Sequence, residues 1–400
     1  MNRNRENFRI TLVALAATTI ILLAAPIHAQ TYTVLHSFTN GLDGTQPRAT
    51  LTRDQAGNFY GTTASSVFKL SLHGGAWVLT PLYHFSGHAD GQSALAPVVI
   101  GRDGALYGTT LGGGYIGGPY CRQGGCGVVY KVQPPPTRPA SVLIPWLETV
   151  IHPFIGPPSD GDQPAYGGVI FDAAGNVYGT TNFGGSGYGA VFEMSPSADG
   201  WTETLIYGDF TPDNGYPLAG VVMDAAGNLY GTTMNIVYEL SPSAGGWTLT
   251  TLHTFTGGVN GGLVYAGLTF DAHGNLFGAT SAGGTGDGGV VFELTPSGGT
   301  WTYNVVYNLP GGPGPYDALT FDAAGNLYGT TMGGGLDSAG TVFKLTPSNG
   351  SWIYTALHNF TFQTEWFPYG GVNFDANGNL YGTTSDGGAD GSGVVWEITP

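Results

Sequence analysis

The chain has 400 residues, 69 of them glycine, with 12% aromatic and only 10% charged residues and a formal net charge of −16. So much aromatic side chain excludes a disordered polymer, and an acidic chain whose only lysines are Lys69, Lys131 and Lys344 has no patch for phosphates, which excludes nucleic acid as a partner.

Residues 1–29 carry Arg3, Arg5 and Arg9, then an apolar run from Ile10 to Ala25, then Pro26 and a small residue, Ala29, suited to cleavage before Gln30. This order predicts a secretory signal peptide, and the apolar run is shorter than the ~20 residues a membrane span needs. Its removal shifts the formal charge from −16 to −18 and leaves no stable membrane span. The expected location is secreted, periplasmic or at the cell surface. Beyond the leader no segment keeps a helical period, whereas Thr, Tyr, Phe and Val are frequent between Gly-rich turns, which describes a β protein.

The first predicted strand, Tyr32–Phe38, stands alone. After it, near-copies of Asp322-Ala-Ala-Gly-Asn-Leu-Tyr-Gly-Thr-Thr331 occur seven times, with aromatic positions Tyr60, Tyr107, Tyr178, Tyr230, Phe277, Tyr328 and Tyr381 spaced by 47, 71, 52, 47, 51 and 53 residues. Spacing of that size is the signature of propeller blades. In the fifth repeat, Ala266–Asp271, Leu276–Thr280, Val290–Leu294 and Trp301–Tyr307 read as four strands, separated by turn residues. The sequence therefore predicts one all-β domain over 30–400, a seven-bladed β-propeller of four-stranded blades. The chain ends on a third-type strand, Val394–Ile398, so the N-terminal strand is expected to complete the last blade and close the ring, which also covers an exposed edge.

Two segments break the period. Cys121 and Cys126 lie in the loop Gly-Pro-Tyr-Cys-Arg-Gln-Gly-Gly-Cys-Gly and, in an exported chain, predict a local disulfide. A Pro-rich insertion at about 133–146 predicts a stiff projecting loop, followed by a fourth strand over Leu147–Phe154.

No catalytic signature is present: GxSxG, HExxH and a Walker loop are all missing. The aspartate opening the turn in six repeats (Asp54, Asp172, Asp224, Asp271, Asp322, Asp375; Gly101 in the second) suits capping of turn amides, since one active site does not need six copies. Histidines recur on the fourth strand at His36, His84, His152, His253 and His358, with Tyr207 and Tyr307 in the other blades. Spread around a rim, they read as hydrogen-bonding aromatics rather than as ligands of one metal. Trp77, Trp201, Trp247, Trp301 and Trp352 open the same strand and are expected to pack between blades. Asp386–Asp390 and Gly286–Gly289 resemble pieces of calcium loops without the ligand series, so no cofactor is expected.

The run FDAAGNLYGTT, then GG, then GTVFKLTPS, then W-T-x-T-x-LH-x-F resembles the GloVer tandem repeat of exported bacterial proteins of the choice-of-anchor kind, across essentially the whole mature chain. More distantly, GLTFDAHGNLFGAT is similar to repeats of NHL-type propellers, which include binding modules, lyases and lactonases. The resemblance implies an exported repeat propeller, brings no catalytic residues, and leaves a binding or scaffold module and a channel-centred lyase or metal-dependent hydrolase both open.

Within each blade the first-to-second and third-to-fourth turns share one face and are short and uniform. The other connections share the opposite face and differ in length and residues, which is where recognition of a saccharide or protein is expected. Six residues before the turn Asp stand Arg48, Leu95, Tyr166, Leu218, Tyr265, Tyr316 and Tyr369 in blade order. Tyr166, Tyr265, Tyr316 and Tyr369 are expected to form an aromatic rim at the channel mouth. Asp317, where the siblings have Ala or Gly, and Trp366 in the last loop complete the expected ligand site, and the protein is expected to act as a monomer.

Overall fold

The structure is a computed structural model describing residues 30–117, 120–121, 124–135, 146–164 and 166–399. The signal peptide expected at 1–29 and the greater part of the Pro-rich insertion lie outside the described residues.

Seven antiparallel sheets form the blades of a β-propeller, six of four strands and that of blade 3 extended to five by Gly161–Pro164, with one 3-10 turn, Gly258–Asn260, as the sole helical element among the described residues. Blade 1 runs Thr52–Arg53, Phe59–Thr62, Ser66–His73 and Ala76–His84 from inner to outer strand, and blade 6 runs Thr320–Phe321, Leu327–Thr331, Thr341–Ser348 and Ser351–Asn359. Blade 7 has Asn373–Phe374, Leu380–Thr384 and Val394–Thr399 from the C-terminal end and takes its outer strand, Thr31–Ser37, from the N-terminal end. The clasp is antiparallel, Thr31 facing Thr399 and Val34 facing Trp396, and places Phe38 in a fully buried position.

The repeated residues each have a structural task. The glycine of Tyr-Gly-Thr-Thr faces an aromatic on the third strand: Gly61 opposite Phe68, Gly231 opposite Tyr238, Gly382 opposite Trp396. A Cβ on Gly61 would stand 2.3 Å from the Phe68 ring and one on Gly231 2.4 Å from the Tyr238 hydroxyl, so only glycine lets the ring lie across the sheet. The first threonine of the motif binds the next blade, Thr62 Oγ1 donating to the Ala96 carbonyl at 2.9 Å, Thr232 to Ala266 at 3.0 Å and Thr330 to Gly370 at 2.8 Å. The strand-opening tryptophans also cross the seams. Trp77 packs edge-on against Tyr381, Trp201 against Tyr107 and Trp301 against Tyr230, each on the preceding blade's motif aromatic.

The turn aspartates cap as expected. Asp322 accepts bonds from the Ala324 and Asn326 amides at 2.9 Å each, from Asn326 Nδ2 at 2.7 Å and from the Tyr328 hydroxyl at 3.0 Å. That geometry explains why Asp, Asn and Tyr recur together, with Gly325 at φ +80° completing the turn. Where blade 2 has Gly101, Asp103 takes over and accepts from the Ala105 amide, the Tyr107 hydroxyl and Lys131.

Two expectations need correction. Inner strands are shorter than the sequence pattern suggests: the fifth is Thr269–Phe270 rather than Ala266–Asp271, because the residues before it run along the channel with a carbonyl taken by the neighbouring blade's threonine instead of a ladder partner. His84 does not occupy the recurrent histidine position. Val67 faces Tyr83, as Val237 faces His253, and His84 is the next residue and exposed.

Candidate binding site at the channel mouth

The segments that lead into the inner strands converge on the face of the variable loops. There they enclose a cavity of about 170 Å3 lined by Arg48, Tyr166, Tyr265, Tyr316, Asp317 and Tyr369. Below it, a second space of about 190 Å3 continues along the glycine-rich inner segments, including Gly167, Gly168, Gly220 and Gly267.

From blade 5 round to blade 1 the lining is a continuous arc. Tyr265 and Tyr316 stack with centroids 4.5 Å apart and planes at 14°. Tyr316 meets Tyr369 edge-on at 5.4 Å, and the Arg48 guanidinium sits 4.8 Å over the Tyr369 ring, a cation–π contact. Tyr166, 39% exposed, completes the wall from blade 3. Burial, then the neighbouring Tyr265, Tyr369 and Tyr166, push the Tyr316 hydroxyl up to about 12, so at neutral pH it remains a protonated donor. Burial also raises Tyr369, against the opposing pull of Arg48.

Asp317 ties three blades together. Its Oδ2 accepts from Thr50 Oγ1 of the first blade at 2.6 Å and from the Gly371 amide of the seventh at 3.2 Å, while Oδ1 accepts from the Ala318 amide at 2.7 Å. The preceding blade is also the one whose motif has Ala279 in place of the bridging threonine, so the ordinary seam bond to this position is missing where the aspartate appears.

Five of the residues expected at the site, Tyr166, Tyr265, Tyr316, Asp317 and Tyr369, are thus brought together, and Trp366 is not. The short strand Glu365–Trp366 pairs with Asp386–Gly387, and Trp366 turns to Phe362 and to the core around Tyr328, Phe360 and Trp396. Arg48 is the lining residue that sequence reasoning left aside, although it holds the same place before Asp54 that the tyrosines hold in their blades. On the same face, Cys121 and Cys126 form a disulfide, and Cys126 is buried beside Phe154. No helix among the described residues is long and apolar enough to cross a membrane.

Solved structures similar to this one are propellers of low sequence identity. A streptogramin B lyase matches at 15% identity and a TM-score of 0.57, over 92% of this chain and 97% of its own. Virginiamycin B lyase from Staphylococcus aureus matches at 15% identity and a TM-score of 0.55, over 93% and 99%. The extracellular domain of a hybrid two-component system from B. thetaiotaomicron matches at 11% identity and a TM-score of 0.59, over 92% of this chain but 40% of that one. At these identities the likeness shows the fold alone. No curated protein matches in sequence. The Gloeobacter/Verrucomicrobia repeat model matches residues 64–237 and 234–400, which takes in most of the blades described above, and the chain belongs to that family.

Proposed function

We propose that the protein is an exported binding module that holds a saccharide at the mouth of its central channel. The observation that carries this reading is the cavity of about 170 Å3 whose wall joins four tyrosines to one guanidinium and one carboxylate. A sugar ring presents an apolar C–H face and a rim of hydroxyls, and a tyrosine wall offers apolar faces and hydroxyls in the same way. Arg48 adds a donor fork, and Asp317 Oδ1, which among the described residues accepts only the Ala318 amide, keeps one acceptor site to fix orientation. The space is smaller than the roughly 300–1,000 Å3 of drug-sized sites, which suits one terminal sugar unit better than a protein surface.

Asp317 is the one carboxylate among the described lining residues, and its oxygens are engaged by Thr50, Ala318 and Gly371. This supports binding over paired acid–base chemistry, which needs a second, free group. The leader composition and the Cys121–Cys126 bond support placement outside the cytoplasm.

A glycan array probed with residues 30–400, followed by calorimetry on the retained sugar, tests the reading. Tyr316→Ala and Tyr369→Ala should each weaken binding by about 1 kcal/mol or more while the circular dichroism spectrum is unchanged, as central aromatic contacts do. Retention of no glycan, or full affinity in both folded variants, would overturn it.

A further inference from the structure

The seams between outer strands follow a rule of their own. The residue of one blade that faces the third-strand valine stacks on the residue of the next blade that lies four places earlier in its own strand. His253 stacks on Tyr303 at 3.7 Å, His358 on Tyr32 at 3.8 Å and Tyr307 on Tyr354 at 5.4 Å. Counted the same way, the position that corresponds to the partner of Tyr207 is Leu249 and that of His36 is Leu79. At the seam of blades 2 and 3 the partner of His152 is neither a ring nor an aliphatic side chain but Glu203.

Asp160, 3% exposed, stands at the same place. His152 Nε2 is 3.1 Å from its Oδ2 and 3.3 Å from its Oδ1, and one ligand atom from each of His152, Asp160 and Glu203 lies within 4.8 Å of the others. The amides of Ile155 and Gly161 donate to Asp160 at 2.9 and 2.6 Å and fix its carboxylate, as outer-shell donors fix metal ligands. Glu203 Oε1 is buried with no hydrogen-bond partner, a costly arrangement that a cation would relieve.

We infer that His152, Asp160 and Glu203 form a site for one divalent transition-metal cation, filled out by water. One imidazole with two carboxylates is a donor set suited to zinc-like ions, in contrast to the all-oxygen shells of calcium. The neighbouring seam supplies an internal comparison. Tyr83, Asp90 and Glu148 occupy the corresponding places, the Tyr83 hydroxyl donates to Asp90 at 3.0 Å, and no imidazole is present. That seam keeps the carboxylates and lacks the nitrogen ligand.

The test uses residues 30–400, stripped with chelator, dialysed, and titrated with Zn2+ by calorimetry, with Co2+ absorption as a second readout of coordination. Wild type should bind one Zn2+ saturably and melt at a higher temperature with the ion than in chelator. His152→Tyr and Glu203→Leu install residues that sibling seams already accommodate, so both should fold, and each should weaken Zn2+ binding by roughly tenfold or more and lose the Co2+ spectrum. No saturable Zn2+ binding by wild type would overturn the inference, meaning that a proton alone satisfies Glu203. So would wild-type affinity in both variants.

Discussion

The two ends of the seven inner strands are built by opposite rules. At the turn end the same atoms meet in blade after blade: Asp54 with Asn58 and Tyr60, Asp322 with Asn326 and Tyr328, Asp375 with Asn379 and Tyr381. Where blade 2 loses the aspartate, Asp103 restores the same cap from two residues further on. At the mouth end, six residues earlier, the same backbone position carries Arg48, Leu95, Tyr166, Leu218, Tyr265, Tyr316 or Tyr369. A turn amide must be bonded in every blade, whereas the mouth is one shared space in which each blade contributes a different wall. Repetition marks what the fold needs, and departure from it marks what the fold leaves free.

The largest expected effect tests the premise that closure constrains the repeated part. Removing Thr31–Phe38 strips the outer edge from Val394–Thr399 and empties the site of Phe38, which alone is worth about 3–5 kcal/mol by analogy with truncation of buried phenylalanines. A melting temperature equal to that of the full domain would break the comparison at its root.

Asp322→Ala, which orphans the Ala324 and Asn326 amides, should cost about 1–3 kcal/mol in urea unfolding. Asp103→Ala should cost as much, although Asp103 is out of register with the motif. Burial pulls Asp54, Asp224, Asp271 and Asp322 upward, but hydrogen bonds from asparagine and the turn amides outweigh it and hold all four below the usual carboxylate range. Their folded values lie below the unfolded one, so their contribution is complete above about pH 4 and is lost as pH falls through the folded values. Asp322→Ala should therefore show a shallower acid-side decline than wild type.

Glu148 is a smaller and opposite case, a carboxylate at a seam position where Leu79 and Leu249 stand in other blades. Burial, then Asp90, push it up to about 7, with Tyr83 and Tyr130 facing it. Here the folded value is the higher one, so the stability it contributes is complete below about pH 4 and is lost as pH rises toward and through 7. Glu148→Gln should flatten that slope, read as a smaller difference in melting temperature between pH 5 and pH 8. Equal slopes would remove Glu148 from the account. The smallest effect belongs to the mouth: Tyr166→Ala, at a 39% exposed residue, should change stability by no more than about 0.5 kcal/mol.

Most of the fold could be read from the sequence because each repeat states its own strand order, and the terminal strands Thr31–Ser37 and Val394–Thr399 are each unmatched within their own part of the chain. The tyrosine wall was equally legible as one position counted across blades. His84 misled because a bulge in the outer strand, where Val67 faces Tyr83 but Phe68 faces Pro81, makes a one-residue slip easy, and such a slip turns a side chain to the other face. Counting back from Phe85 and Phe255 aligns Tyr83 with His253. Trp366 was placed wrongly for a different reason: its direction is set by pairing with Asp386–Gly387, a contact between two irregular loops that no periodicity announces. The partnership of His152 with Glu203 depends on a seam register between blades, which becomes countable only after the strands are laid side by side.

Closure of the ring joins residues 31 and 399, and Thr399 Oγ1 donates back to the Thr31 carbonyl across 368 positions of sequence. In an open solenoid each unit answers only to its neighbours, but here the last sheet waits for the first residues of the domain, which makes its completion a slow, high-contact-order event. Until then Val394–Thr399 is an unpaired edge, and its ladder does not distinguish the strand of its own chain from that of another copy. The register that seals one ring would equally join two by exchange of N-terminal strands, so refolding at high concentration should yield strand-swapped dimers alongside the closed monomer.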